Sequence, residues 1–168
     1  DWDMLRRINY MLANSSNCED EALRTKYDGI AYFFRAYFYF QKVMRFGDVP
    51  YYDKVLESTD AEFLNKARDD RGFVMDKVME DFDRAIEMIP ATKDVYSARV
   101  TKWVALAMKS RAALFEGTWR KYHGMPDAEK YLQQAAAAAE TFIDESGYVL
   151  YNQGEEPYRD LFCSDHAK

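Results

Sequence analysis

Residues 27–50 read YDGIAYFFRAYFYFQKVMRFGDVP, and the rest of the chain is organised around this stretch. Ile30, Phe33, Phe34, Tyr37, Phe38, Phe40 and Met44 recur at helical spacing, yet they spread wider than one amphipathic stripe. The spacing predicts a helix covered on several sides. Gly47 follows the last periodic residue, where a left-handed C-terminal cap is wanted, and Val49-Pro50 then forces an extended exit. Upstream, Glu19, Asp20 and Glu21 suit a first turn because they face the positive end of the helix dipole. The helix is therefore placed from about residue 19 to 45, through an isolated Gly29.

Working outward, residues 2–12 carry Leu5, Ile8, Tyr10, Met11 and Leu12 in a short helical pattern. The polar run Asn14-Ser15-Ser16-Asn17 ends it, because these side chains compete for backbone hydrogen bonds. Residues 51–66 have no sustained period and read as a surface loop, with a short turn around 61–65. Asp69 or Asp70 can cap the next helix, in which Met75, Val78, Met79, Phe82, Ala85, Ile86 and Ile89 form one stripe and Pro90 is the stop. Asp81, Asp83 and Glu87 fall on the other side, as a solvated face would.

After a connector at 91–97, Thr101 can cap a helix running to about residue 121. Its small residues Ala105, Ala107, Ala112 and Ala113 allow close approach, while Trp103, Leu106, Leu114 and Phe115 supply bulk. Gly124-Met125-Pro126 resets the chain, with Pro126 suited to a new first turn. The helix over 127–144 then places Tyr131, Leu132, Ala135, Ala136, Ala139, Phe142 and Ile143 on one side. Gly147 ends it, and Tyr148-Val149-Leu150-Tyr151 leads into an irregular tail with an aromatic pair, Tyr158 and Phe162. Five helices in pairs predict an all-α stack of helical hairpins resembling tetratricopeptide repeats, with irregular connecting loops. The starts near residues 19, 70, 101 and 126 show no 34-residue period.

Composition narrows the function. A chain of 168 residues fits one domain, and 48% hydrophobic residues with 13 Tyr, 11 Phe and 3 Trp exclude a disordered segment. A net charge of −6 argues against nucleic acid and against an anionic bilayer as partner. No run approaches 18 consecutive apolar residues. Cys18 and Cys163 do not make a disulfide framework or a zinc site. His123 and His166 lack metal-ligand spacing, no calcium loop is present, and neither a G-x-S-x-G elbow nor a phosphate cradle occurs. No metal and no cofactor is expected. Glycoside hydrolysis needs two carboxylates flanking the bond. Asp48 with Asp53, or Glu155 with Glu156, can be paired on paper, but nothing singles them out, and no catalytic residue is assigned.

The run FFRAYFYFQKVMRFGDVPYY, with Arg35 two residues before Tyr37 and then Phe46-Gly47-Asp48-Val49-Pro50, resembles the signature helix and exit loop of the SusD/RagB family. Three further stretches match in order. Arg68-Asp69 with Val74, Val78, Asp81, Phe82, Ala85, Ile86 and Pro90 is similar to a second signature helix. Arg99-Val100-Thr101-Lys102 with Ala105, Leu106, Ala107, Arg111 and Leu114 resembles a third, and Asp127-Ala128-Glu129-Lys130 through Leu150, with Tyr158, Leu161 and Phe162, resembles the next. Two positions depart, Ala98 where Gly is common and Trp103 where a small residue is common.

The resemblance implies an outer-membrane, surface-exposed glycan-binding lipoprotein of Bacteroidetes-type bacteria that partners a SusC-like TonB-dependent transporter. It implies no enzymatic activity, an oligosaccharide or polysaccharide ligand, and a membrane held only through a lipid anchor that this stretch does not include. Members are several times longer, so residues 1–168 are expected to be the helical-repeat portion of a longer protein. Arg35, Gly47, Asp48, Pro50, Asp81, Lys102 and Arg111 are carried over as structural signature positions. For Arg35 the simpler reading is a partly buried arginine packed on rings with its guanidinium on a carboxylate, and Arg111 takes the same reading. Asp48 can bond its own backbone.

Sugar rings stack on exposed aromatic faces, so Trp119, Tyr122, Tyr51 and Tyr52, at helix ends or in loops, are the glycan-binding candidates. Edge-of-core packing is the competing reading for each. Two alternatives of other classes remain open: an intracellular helical-repeat scaffold for protein interaction, and an all-α carbohydrate-active enzyme.

Overall fold

The structure, a computed structural model, describes residues 2–57, 59–94 and 98–163. Its central helix spans Glu21–Phe46, and both ends follow from local chemistry. The Asp20 carboxylate accepts from the Leu23 N–H at 3.0 Å. At the other end Gly47 takes φ +71°, which a side chain would disfavour, and its N–H donates to the Val43 carbonyl at 2.9 Å. Numbered in chain order, the helices are α1 (Asp3–Asn14), α2 (Glu21–Phe46), a single turn α3 (Ala61–Leu64), α4 (Arg71–Met88), α5 (Lys102–Tyr122), α6 (Ala128–Glu145) and α7 (Pro157–Cys163).

Caps sit where short polar residues precede each helix. Asp70 Oδ1 accepts from the Gly72 and Phe73 N–H groups to open α4, and Thr101 Oγ1 accepts from Val104 to open α5. Asp69 has a different task. Its N–H donates to the Val49 carbonyl, and its carboxylate accepts from the Tyr51 N–H and pairs with Lys66, clamping the exit of α2 to the entry of α4.

The polar run ends α1 at Asn14, with Asn14 Nδ2 and Ser15 Oγ donating to the Tyr10 and Leu12 carbonyls, and one 3-10 turn, Ser15–Asn17, follows. Two local expectations are corrected. Pro126 is outside α6: Asp127 occupies a left-handed conformation at φ +64° that proline cannot take, and the helix begins after it. The tail also holds a short helix, α7, rather than only irregular chain.

The helices form an antiparallel stack. Trp2 meets Phe38, Asn9 reaches Arg35 and Ser15 bonds Asp28, so α1 and α2 run in opposite directions. Gly29 abuts Met88 and Ile89 while Val49 pairs with Asp69, which sets α4 antiparallel to α2. The pairs Arg71–Glu116 and Lys109–Asp83 do the same for α4 and α5, as do Gly117 against Leu132 and Lys102 against Glu145 for α5 and α6. The result is the all-α stack of helical hairpins that the pattern of caps and stripes predicts.

One core runs through the stack. Phe33, Tyr39, Phe40 and Val43 of α2 interleave with Val74, Met75, Val78 and Phe82 of α4, and Ala105, Ala112 and Ala113 bring α5 close. Phe34, Tyr37 and Met44 remain partly exposed, so α2 is covered on two sides rather than all round. On α5, Ala107 and Leu114 face solvent. On α6 the buried residues are Tyr131, Ala135 and Ala138, while Ala136 and Ile143 face out. That stripe is narrow because α6 lies at the end of the stack and packs chiefly on one neighbour, α5.

Glycines set the closest helix approaches. A Cβ on Gly117 would lie 2.8 Å from Leu132 Cγ and 3.0 Å from the Leu132 backbone nitrogen, so a side chain there must push α6 away from α5. Gly117→Val is therefore expected to lower stability by about 1–3 kcal/mol, the range for overpacking a tight interior. Urea melts check it, and an unchanged midpoint would contradict so close an approach.

Candidate functional site

Two buried charge clusters tie the stack together. In the first, Arg35 on α2 grips Asp81 on α4 with two hydrogen bonds, Nε to Oδ2 at 2.7 Å and Nη2 to Oδ1 at 2.8 Å. Both side chains are almost wholly buried. The remaining Nη1 donates to Asn9 Oδ1 and to the Asp53 carbonyl, at 3.3 and 3.4 Å, and the guanidinium lies over the Tyr32 ring. Burial would lower the Arg35 pKa, but the Asp81 hydrogen bonds and charge outweigh it and hold the guanidinium above its ordinary value.

Around this pair the exit loop is stitched down. Asn9 Nδ2 donates to the Tyr52 and Lys54 carbonyls, and the buried Tyr39 hydroxyl donates to the Tyr52 carbonyl while accepting from the Tyr52 N–H. Asp81 thus belongs to the core, not to the solvated face that Asp83 and Glu87 occupy. The helical stripe misplaces it because a carboxylate satisfied by arginine can sit where an apolar residue would.

In the second cluster the fully buried Glu116 of α5 is held by two arginines, Arg71 Nε to Oε2 and Arg120 Nε to Oε1, each at 2.8 Å. Arg120 Nη1 also donates to the Pro126 carbonyl. Asp48 does not turn on its own backbone; its Oδ1 accepts from the Arg71 N–H at 3.0 Å and so fixes the start of α4. Pro50 is half-buried, and Lys102 lies 3.8 Å from Glu145. Arg111 is exposed, so the buried-arginine reading fails for it. Its place in α5 faces away from both neighbours, and Arg71 and Arg120 carry that role.

This second cluster floors a cleft of about 830 Å³ where the ends of α2, α4, α5 and α6 meet. Phe46, Phe73 and Trp119 give it aromatic walls, and Asp48, Asp70 and Asp76 an acidic rim. Trp119, one of the aromatics singled out from the sequence, is spent. The Arg71 guanidinium lies 3.9 Å from its ring centre and the His123 imidazole stacks at 4.3 Å, and two groups that close cannot share one face. Phe46 and Phe73 keep about half their surface exposed, and Tyr122, at the end of α5, is 82% exposed.

The other two aromatics lie elsewhere. Tyr51 is buried against Tyr39, with its hydroxyl pushed up in pKa by burial, and offers no open face. Its backbone is held by Asp69, which draws the ring into the core. Tyr52 is half-buried and lines a separate groove with Trp2, Pro50 and Leu56. The four aromatics therefore do not converge on one site. Sequence reasoning passed over Phe46, Phe73 and the Arg71–Glu116–Arg120 cluster; only the i, i+4 spacing of Glu116 and Arg120 signalled any of it.

At the cleft rim Asp76 accepts from Lys130 and from the Tyr131 hydroxyl, both at 2.7 Å. Partial burial would raise its pKa, yet these two hydrogen bonds and the Lys130 charge lower it below the ordinary 3.8. A carboxyl with a depressed folded-state pKa contributes stability above its unfolded value that is lost as pH falls through the folded one. Wild type is thus expected to exceed Asp76→Asn in stability at pH 6 and to lose that margin below pH 3.8. Paired urea melts at the two pH values check this; a margin independent of pH would contradict it.

Among the described residues no three His, Cys, Asp or Glu side chains are grouped to hold a metal ion, and no helix is long and apolar enough to cross a membrane. Cys18 and Cys163 are exposed free thiols.

Comparison with solved structures places the stack among known ones. A SusD-like protein from Bacteroides fragilis is 27% identical over 93% of this chain, with a TM-score of 0.74. A laminarin-binding SusD-like protein is 23% identical over 94%, with a TM-score of 0.73. A structure determined with a xylogluco-oligosaccharide is 22% identical over 96%, with a TM-score of 0.75. The chain spans only 28%, 32% and 30% of those three chains, respectively. No curated protein matches the sequence. The family model for SusD-like proteins, described as starch-binding and associating with the outer membrane, matches residues 3–114. That match takes in α1, α2, α4 and most of α5 with the Arg35–Asp81 cluster, stopping short of Glu116 and Arg120, and the chain belongs to the SusD-like family.

Proposed function

We propose that this chain is the helical portion of a longer, non-catalytic glycan-binding protein held at the bacterial outer membrane by a lipid anchor, which docks on a SusC-like TonB-dependent transporter. The observation that carries the reading is the family match over residues 3–114, supported by likeness to structures named for laminarin binding and for a bound xylogluco-oligosaccharide. The mechanism is capture and hand-over, with no bond broken. The buried carboxylates fit this reading, because Asp81 and Glu116 are paired with arginines and neither lines the cleft at the helix ends.

What this portion offers a glycan is the cleft at the helix ends, where Phe46 and Phe73 present apolar faces beside Asp48, Asp70 and Asp76. Sugar C–H faces would lie on the rings and hydroxyls would donate to the carboxylates. Native gels cast with a panel of β-glucans and xyloglucan test the reading. Retarded migration on at least one glycan is expected, and Phe73→Ala is expected to weaken retention about fivefold, the equivalent of roughly 1 kcal/mol. Unretarded migration on the whole panel would contradict glycan binding. For the docking half, affinity purification from detergent-solubilised outer membranes is expected to bring down a TonB-dependent transporter.

A further inference from the structure

The face of α2 turned away from the core carries a pattern that the stack does not use. Leu23, Tyr27, Ile30, Phe34, Tyr37, Gln41 and Met44 follow one another at alternating spacings of four and three residues. That is the spacing of a coiled-coil seam, sustained along nearly the whole helix. Leu23, Tyr27, Phe34, Tyr37 and Met44 keep 38–49% of their surface exposed, Ile30 is half-buried and Gln41 is open. Large side chains in one continuous line mark a contact surface rather than the scattered apolar residues any protein exposes. Met4 and Ile8 of α1 border the line on one side, and Ile89, Pro90 and Val100 on the other. Shallow grooves of about 630 and 510 Å³ therefore run along the two flanks of Phe34. Neither shares a residue with the cleft at the helix ends.

Charge says what would cover this face. The chain carries −6 overall, yet the two grooves are lined by Arg7, Lys26, Lys42, Lys93 and Arg99 against only Asp3 and Asp94. Asp3 is paired with Arg7, and the Asp94 carboxylate accepts from the Ala98 and Arg99 N–H groups. Lys26 and Lys42 lie over aromatic rings and Lys93 donates to a carbonyl, so none of these ammonium groups meets a carboxylate among the described residues. The face of a second copy would set the same cations against these, so it is a poor partner for itself. An acidic helix meets both demands, with apolar residues at heptad spacing for the seam and carboxylates on its flanks for the lysines.

We propose that the 23–44 face of α2 docks an acidic amphipathic helix of another protein, laid along the seam with its carboxylates over Lys26, Lys42 and Lys93. Gln41, the one polar residue in the line, sets the register of that helix, as a polar seam residue does in a coiled coil. Docking here is separate from glycan capture and does not depend on it.

A labelled peptide of three heptads, with Leu at both seam positions and Glu at the positions beside them, tests this by fluorescence anisotropy and circular dichroism. With the 168-residue chain, saturable binding and a gain of helicity are expected. Affinity should fall about tenfold between 0.05 and 0.5 M salt, because the flanking pairs are open to screening. The same peptide with Lys in place of Glu is expected to bind at least about tenfold more weakly. Lys26→Glu should weaken the Glu peptide and strengthen the Lys peptide, each by about fivefold, and Tyr27→Asp should weaken both, with urea midpoints unmoved by either change. Equal binding of the two peptides, or of neither, overturns the proposal. Binding by the 168-residue chain that the full gene product lacks assigns the seam to the protein's own chain and overturns it as well. Dimerisation that Tyr27→Asp abolishes assigns the seam to a second copy, with the same consequence.

Discussion

Asp81→Ala is expected to lower the unfolding free energy by about 3–5 kcal/mol, the range for removing one partner of a buried ion pair. The effect is large because of what stays behind. Arg35 would keep its charge, 4% exposed between α2 and α4, with only the longer contacts to Asn9 Oδ1 and the Asp53 carbonyl. Arg84, 3.5 Å from Asp81 at the surface, would lose its carboxylate but remain in water. A domain of ordinary stability has about 5–15 kcal/mol in total, so the variant sits near the edge of folding. Asp81→Asn retains a neutral acceptor and should fall between. Replacing both members, Arg35→Met with Asp81→Val, should recover part of the loss, because no buried charge is left without its partner. Urea melts of the four proteins measure this; a loss below about 1 kcal/mol for Asp81→Ala, the level of an exposed pair, would show that the pair does not hold the stack.

Glu116→Ala carries the second large effect. One carboxylate neutralises Arg71 from α4 and Arg120 from its own helix, so its removal leaves two guanidiniums facing each other in a buried space. The Trp119 face and the Pro126 carbonyl offset part of this. A loss of at least about 3–5 kcal/mol is expected, and it should be local in character. The cluster joins α4 to the α5–α6 hairpin, so α6 should exchange its amides first while the α2–α4 pair remains protected. Uniform acceleration through all helices, or a melt unchanged from wild type, would contradict this account.

The helices were legible because each boundary carries its own chemistry. Asp20, Asp70 and Thr101 cap the three long core helices, and Gly47 and Pro90 close two of them, signals that act over three or four residues and need no tertiary context. Asp127 was harder, since a left-handed residue before a helix is a demand of the turn and not of periodicity. Buried charge was the least legible feature. Asp81, Asp83 and Glu87 look alike in a helical projection, and only the arrival of Arg35 from a residue 46 positions away separates the core carboxylate from the solvated ones.

The same limit explains the site. Trp119 and Tyr51 are aromatic residues at element ends, as a sugar platform would be, but Arg71 and Tyr39 reach them from other elements, His123 stacks on Trp119 from four residues on, and their faces are occupied. Phe46 and Phe73, which line the cleft, fall outside the helical stripes of α2 and α4, and no local pattern brings them together. The family signature residues Arg35, Gly47, Asp48, Pro50 and Asp81 all sit at or beside the α2–α4 junction. Among them Arg35 and Asp81 fasten α2 to α4, and Asp48 fixes the start of α4.

The most direct test of the account is calorimetric titration of the whole gene product with an oligosaccharide of a glycan that retards it in gels, followed by analysis of the recovered sugar. Saturable heat with the oligosaccharide returned at its original length is the result the account requires. Shortened products, or no heat with any glycan of the panel, would contradict it.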